Sequence, residues 1–149
     1  MVENYMPIVL ADDDVEDQDM IRTALNKTLT NEVYTVGDGE ELLDFLHHRG
    51  KYTTMESSPT PGLILLDLNM PRKGGCEVLA EIKADPELRR IPVVVLTTSK
   101  TTDDVAETYE LGGSSFITKP ASISKLANVM RVLGHYWFKT VMLPSGSED

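Results

Sequence analysis

A chain of 149 residues, 41% hydrophobic and 26% charged, carries enough apolar side chain for one self-supporting core and leaves no room for a second domain. Twenty-four acidic against fourteen basic residues give a formal charge of -10, which excludes the clustered Lys and Arg surface that a nucleic-acid partner requires. No apolar run nears the roughly 20 residues that span a bilayer, Met1 to Met6 carry no basic leader with an apolar core, and Cys76 stands alone. A cytoplasmic protein with no membrane segment, no disulfide and an inert thiol is therefore expected.

The first apolar run, Ile8 to Ala11, reads as a strand and ends in Asp12-Asp13-Asp14. From Asp17 to Leu29, Met20, Ile21, Ala24, Leu25 and Leu29 recur at three- and four-residue spacings, which predicts a helix with one buried stripe. A short strand over Glu32 to Val36 ends in Gly37-Asp38-Gly39, and a helix follows from about Glu40 to His48, stopped by Gly50. Lys51 to Gly62, rich in Ser, Thr and Pro, is the one long loop and the expected site of greatest mobility. A strand over Leu63 to Leu68 comes next, then a helix near Cys76 to Ala84 that Asp85-Pro86 breaks. The chain continues with a strand at Val93 to Thr97, a polar helix at Thr102 to Leu111, a strand at Ser115 to Thr118 and a long helix from Ser122 to about Phe138. Residues 1–149 form a single domain in this reading, with a flexible tail from about residue 143.

Five strands without polar alternation, each followed by a helix, predict an α/β fold: a five-stranded parallel sheet with helices on both faces. Functional groups in such sheets lie at the carboxyl ends of the strands. Four of these ends carry polar groups of complementary type: Asp12-Asp13, Asp67 with Asn69-Met70-Pro71 behind it, Thr97-Thr98, and Lys119-Pro120. A carboxylate closing the buried run Leu63 to Leu66 needs a cation, a hydrogen-bond network or a chemical role.

Phosphoryl chemistry satisfies all three needs. An aspartate can attack phosphorus and hold it as an acyl phosphate if a divalent cation and fixed donors screen the repulsion between two anions. Asp12, Asp13 and Asp67 offer oxygen ligands suited to Mg²⁺, Lys119 offers a fixed positive charge, and the Thr97 hydroxyl offers a donor to a phosphoryl oxygen. A cis Lys119–Pro120 peptide is expected at a turn tight enough to aim the ammonium inward. Each signal has a plainer explanation: the acid triplet as a helix cap, Thr97-Thr98-Ser99 as another, Asp67 as a loop cap, Lys-Pro as a surface turn. Four independent strand ends carrying the right group outweigh them. Asp12, Asp14 and Glu16 imitate the start of an EF-hand loop, but Asp17 stands where that loop requires Gly.

The succession Asp12-Asp13, Leu66-Asp67-Leu68-Asn69-Met70-Pro71, Thr97-Thr98-Ser99 and Lys119-Pro120 resembles the receiver domain of two-component response regulators, of the flavodoxin-like fold, over about the whole chain. The resemblance implies that Asp67 is the phosphoacceptor and that Asp12 and Asp13 form a Mg²⁺ pocket with the Asn69 backbone carbonyl as a further ligand. It likewise implies Thr97 as switch hydroxyl, Lys119 as phosphate partner and Phe116 as switch aromatic. Glu81 to Ser99, together with the long loop before Asp67 and the aromatic tail, is similar to the stand-alone regulators that partner bacterial phytochromes and related sensor histidine kinases. Thr98 departs from the small residue usual after the switch hydroxyl and narrows access to the phosphoryl group.

The resemblance thus implies a signalling protein that catalyses only its own phosphorylation and dephosphorylation. Its donor would be a phosphohistidine on a kinase and its output a downstream protein contact, since no residues remain for an output domain after Lys139. In the last helix Ile123, Leu126, Ala127, Met130, Leu133 and Trp137 form an inward stripe, while Val129, Val132, Tyr136, Phe138, Val141 and Met142 are apolar on other sides. That surplus predicts a homodimer through the last helix. A haloacid dehalogenase-like phosphotransferase would need a second acid two residues after Asp67, where Asn69 stands, and a docking domain without phosphorylation leaves the five-residue polar set unexplained.

Overall fold

The computed structural model describes residues 4–54 and 58–144. Five parallel strands, β1 (Ile8–Ala11), β2 (Val33–Val36), β3 (Leu63–Leu66), β4 (Val93–Thr97) and β5 (Ser115–Thr118), form one sheet in the order β2-β1-β3-β4-β5. Five helices follow them in turn: α1 (Val15–Asn26), α2 (Gly39–His47), α3 (Gly75–Ala84), α4 (Thr102–Glu110) and α5 (Ile123–Lys139). Every residue of β1, β3 and β4 is buried, which explains why their sequences lack alternation: both faces are covered.

Alternate strand residues feed two cores. Val9, Ala11, Ile64, Leu66 and Val93 pack with Leu42, Phe45, Val78 and Leu79 of α2 and α3. Ile8, Leu10, Leu63, Leu65, Val94 and Leu96 pack with Leu25 of α1 and Met130, Leu133 and Phe138 of α5. Transfer of these side chains from water, each worth about 1.5–3 kcal/mol, is the main force that closes the sheet.

Helix starts are set by side-chain caps. Asp14 accepts from the backbone N–H of Glu16 and Asp17, Asp38 from Glu41, Thr101 from Asp104 and Ser122 from Lys125. Each cap satisfies an orphan donor and contributes about 1 kcal/mol. Helix α1 thus begins two residues earlier than its apolar period suggested and stops at Asn26, although Leu29 is buried beyond it. Strand β3 ends at Leu66 rather than Leu68, where the chain turns. Helix α2 ends at His47 and is capped by His48, which adopts the left-handed conformation, and Gly50, also at positive φ, opens a short 3-10 turn through Tyr52.

In the long loop from Lys51 to Gly62, residues 55–57 lie outside the described residues; Ser58 is fully buried, its hydroxyl 2.7 Å from His48 Nδ1 and donating to the Tyr52 carbonyl at 3.0 Å. Expectations for the Lys119–Pro120 peptide and for α5 need correction. The described residues contain no cis peptide, so Lys119 reaches inward through a trans Lys119–Pro120 bond. In α5 the predicted inward Ile123, the first residue of the helix, is exposed, while the predicted surplus residue Phe138 is 1% exposed in the core. The tail expected from about residue 143 lies, from residue 145 on, outside the described residues; Leu143 packs against the α1–α5 core.

Candidate functional site

Register alone brings the acids together. Ala11 pairs with Leu66 across the β1–β3 ladder, so the next residue on each strand, Asp12 and Asp67, leaves the sheet side by side. The ladder continues past the strands through Asp67 N–H to the Ala11 carbonyl at 3.0 Å and Asp12 N–H to the Val36 carbonyl at 3.0 Å. These two strands flank the crevice where connections diverge to opposite faces, the usual ligand position in an open parallel sheet. Gly75 permits the turn after Asp67: a Cβ there would lie 2.6 Å from both the Asp67 carbonyl oxygen and the Leu68 Cα.

The Lys119 ammonium sits among three carboxylates. Its Nζ donates to Asp12 Oδ2 at 2.7 Å, Asp17 Oδ2 at 2.8 Å and Asp67 Oδ2 at 3.2 Å. The Lys119 backbone N–H donates to the Thr97 carbonyl at 2.7 Å, which fixes the root of the side chain against the end of β4. Burial by itself would lower the Lys119 pKa, but the hydrogen bonds to Asp12 and Asp17 outweigh it and hold the ammonium well above the ordinary lysine range. Burial pushes the Asp12 carboxyl up, against the pull of Lys119.

The second oxygens of the acids are positioned by backbone. Asp12 Oδ1 accepts from the Asp14 N–H at 2.9 Å, and Asp67 Oδ1 from the Asn69 N–H at 3.1 Å. Asp12, Asp13 and Asp67 each present a carboxylate oxygen within 4.8 Å of the others, Asp13 from an exposed position. The plainer readings of the sequence now separate: Asp14, not Asp12 or Asp13, caps α1, and Thr101, not Thr97, caps α4. Asp67 does brace its loop, yet only through Oδ1, leaving Oδ2 facing Lys119.

Thr97 is fully buried, and its hydroxyl has no hydrogen-bond partner among the described residues. A buried hydroxyl without a partner, at the edge that bears Asp67 and Lys119, is a polar group that calls for an explanation. Phe116 lies in β5. It pairs with Val95, and Thr97 with Thr118, so Phe116 lies on the Thr97 face of the sheet two positions back from the strand end, and it is half-buried. Asp17 is the site residue not foreseen from the sequence, where it marked only the start of the first helix and a failed EF-hand position. Its one signal was its place in the first turn after the strand-end acids.

Residues 8–131 match the response regulator receiver domain. The chain belongs to that family. It is 43% identical over 139 residues to the response regulator Rcp1 of Synechocystis, covering 93% of this chain and 92% of that one. Among solved structures it is similar to the phosphorylated cyanobacterial phytochrome response regulator RcpA, with 45% identity, a TM-score of 0.89 and coverage of 95% of this chain and 100% of that one. It is likewise similar to the Mn²⁺-bound form of Rcp1, at 44% identity and a TM-score of 0.85, over 94% and 99% of the two chains. The chain is therefore a receiver of the two-component type, a signalling protein of phosphorelays rather than an enzyme with a separate substrate, and receivers bind a divalent metal. No described helix is long and apolar enough to cross a membrane.

Proposed function

We propose that this receiver accepts a phosphoryl group on Asp67 from a phosphohistidine of a phytochrome-related sensor kinase, with Mg²⁺, in the cytoplasm. The observation that carries the reading is charge balance: three carboxylates converge on one ammonium and Asp13 adds a fourth beside them, an excess of anion that a divalent cation neutralises. Asp12, Asp13, Asp67 and the Asn69 backbone carbonyl would hold it, all hard oxygen donors as Mg²⁺ prefers. When bound, the ion supplies charge neutralisation between the incoming phosphoryl oxygens and the Asp67 carboxylate.

The protein's residues do the rest. An Asp67 oxygen forms the new P–O bond as the P–N bond of the donor breaks, and the leaving imidazole keeps that electron pair. Lys119 donates to one phosphoryl oxygen and the Thr97 hydroxyl to another, so the orphan donor gains its partner only in the phosphorylated state. Drawing Thr97 toward the phosphoryl group opens space on the face it shares with Phe116, whose ring follows inward. A local charge thereby reshapes the α4, β5 and α5 surface offered to a downstream protein.

Two apolar surfaces support the partner assignments. Val15 and Ile123, 65% and 70% exposed, follow the acids and Lys119-Pro120 respectively and border the face a kinase must approach. A groove of about 500 Å³ between β5 and α5, lined by Ser115, Ile117, Val129, Val132 and Tyr136, suits a second copy of the chain. Labelling with acetyl phosphate and Mg²⁺ tests the assignment: wild type takes up one acid-stable, base-labile phosphoryl group and Asp67→Asn takes up none. Full labelling of Asp67→Asn would end this reading.

A further inference from the structure

We infer that Asp17 is a positioning residue that holds Lys119 in the resting state and competes with the phosphoryl group for its ammonium; this rests on the assignment of Asp67 as phosphoacceptor. A lysine ammonium has three N–H donors. In this structure Asp12, Asp17 and Asp67 take all three, so none is free for a phosphoryl oxygen. When the Asp67 oxygen bonds to phosphorus and the donor's P–N or P–O bond breaks, the added dianion extends beyond the old carboxylate, and Lys119 must redirect a donor outward.

Burial decides which partner gives way. The Asp12 side chain is 0% exposed, and abandoning it would leave a carboxylate deprived of both water and cation. The Asp17 side chain is 27% exposed and recovers water when released. Asp17 lies in the first turn of α1, so it moves without disturbing a strand, and its N–H remains on the Asp14 cap. Asp17 therefore stabilises the unphosphorylated form selectively. An acid favoured in that turn only by the helix dipole would change stability alike in both forms.

Beryllofluoride, which mimics the phosphoryl group on an aspartate, reads the competition in the full chain by fluorine NMR or calorimetry at saturating Mg²⁺. Asp17→Asn is expected to bind it roughly two- to fivefold more tightly than wild type, the range of a partly exposed ion pair. Glu16→Gln, which removes the same charge from the same turn without touching Lys119, leaves the affinity at the wild-type value. In a Lys119→Ala background, Asp17→Asn changes nothing, because its effect passes through the ammonium. Equal affinities in wild type and Asp17→Asn, or an equal gain with Lys119 removed, would overturn the role of Asp17 alone. A wild type that binds no beryllofluoride would overturn the phosphoacceptor assignment itself.

Discussion

Lys119 Nζ reaches Asp12 Oδ2 at 2.7 Å across 107 residues of chain, with 8% and 0% of the two side chains exposed. A pair this buried, shared with Asp17 and Asp67, couples the ends of the first and last strands in chain order, β1 and β5. It makes the site both a binding device and a source of stability.

Removing the ammonium separates those two contributions. Lys119→Ala is expected to lower the rate of phosphorylation by acetyl phosphate by about 10²–10³-fold, the cost of losing one fixed donor to the transferring group. It also leaves buried carboxylates unpaired, at about 3 kcal/mol of folding stability in the absence of divalent cation. Because the folded pKa of Lys119 is raised, its stabilisation is fully present below the ordinary lysine value of 10.5 and is lost only as pH climbs through the higher folded value. Urea melts of both proteins at pH 8 and above 10.5 check this: the gap should persist well into the alkaline range. Normal phosphorylation-dependent partner binding by the variant would remove Lys119 from its role.

Asp13 contributes charge rather than structure. It is exposed, so Asp13→Ala should change stability without metal by no more than about 0.5 kcal/mol. The same change deletes a carboxylate from the proposed Mg²⁺ pocket and is expected to weaken calorimetric Mg²⁺ binding by about tenfold. An unchanged isotherm would reduce Asp13 to a solvated acid.

Pairing of two copies is best tested at the residues that remain exposed. Val132 and Tyr136 are 53% and 50% exposed beside the β5–α5 groove, whereas Phe138, core-bound at 1%, is unsuitable because a charge there would unfold the chain. Val132→Asp with Tyr136→Asp should keep the fold and sediment as a monomer, against a dimeric wild type at high micromolar concentration. A monomeric wild type would leave the groove as ordinary surface.

The thiol gives a pH-dependent readout. Burial, reinforced by the negative charge of Glu107, pushes Cys76 from its ordinary value of 9.0 up to about 11. The sign follows: at pH 8 the protonated thiol is favoured by about a hundredfold more than in an exposed cysteine, since two pKa units are two factors of ten. Alkylation by iodoacetamide at pH 8 should be slower than that of a free thiol by about that factor and should accelerate on unfolding. Rapid native-state alkylation would contradict the packing of Cys76.

The sequence alone determined the five β-α units and the polar groups at four strand ends. Buried strands need unbroken apolar runs and amphipathic helices need a three- to four-residue period, and both are local properties of the chain. What periodicity could not determine was strand order, since that depends on which helices cover which face. Only the crossover that seats β3 beside β1 sets Asp67 next to Asp12, with Ala11 opposite Leu66. Likewise, the apolar residues of α5 were countable in the sequence, but that Ile123 of the expected inward stripe is exposed while Phe138 of the surplus is buried followed from how the helix lies over the sheet. In the sequence Asp17 marked only the start of a helix and a failed EF-hand position. Its bond to Lys119, 102 residues away, exists because packing α1 and the β5–α5 turn at the same sheet edge gives a buried ammonium three acceptors and little water.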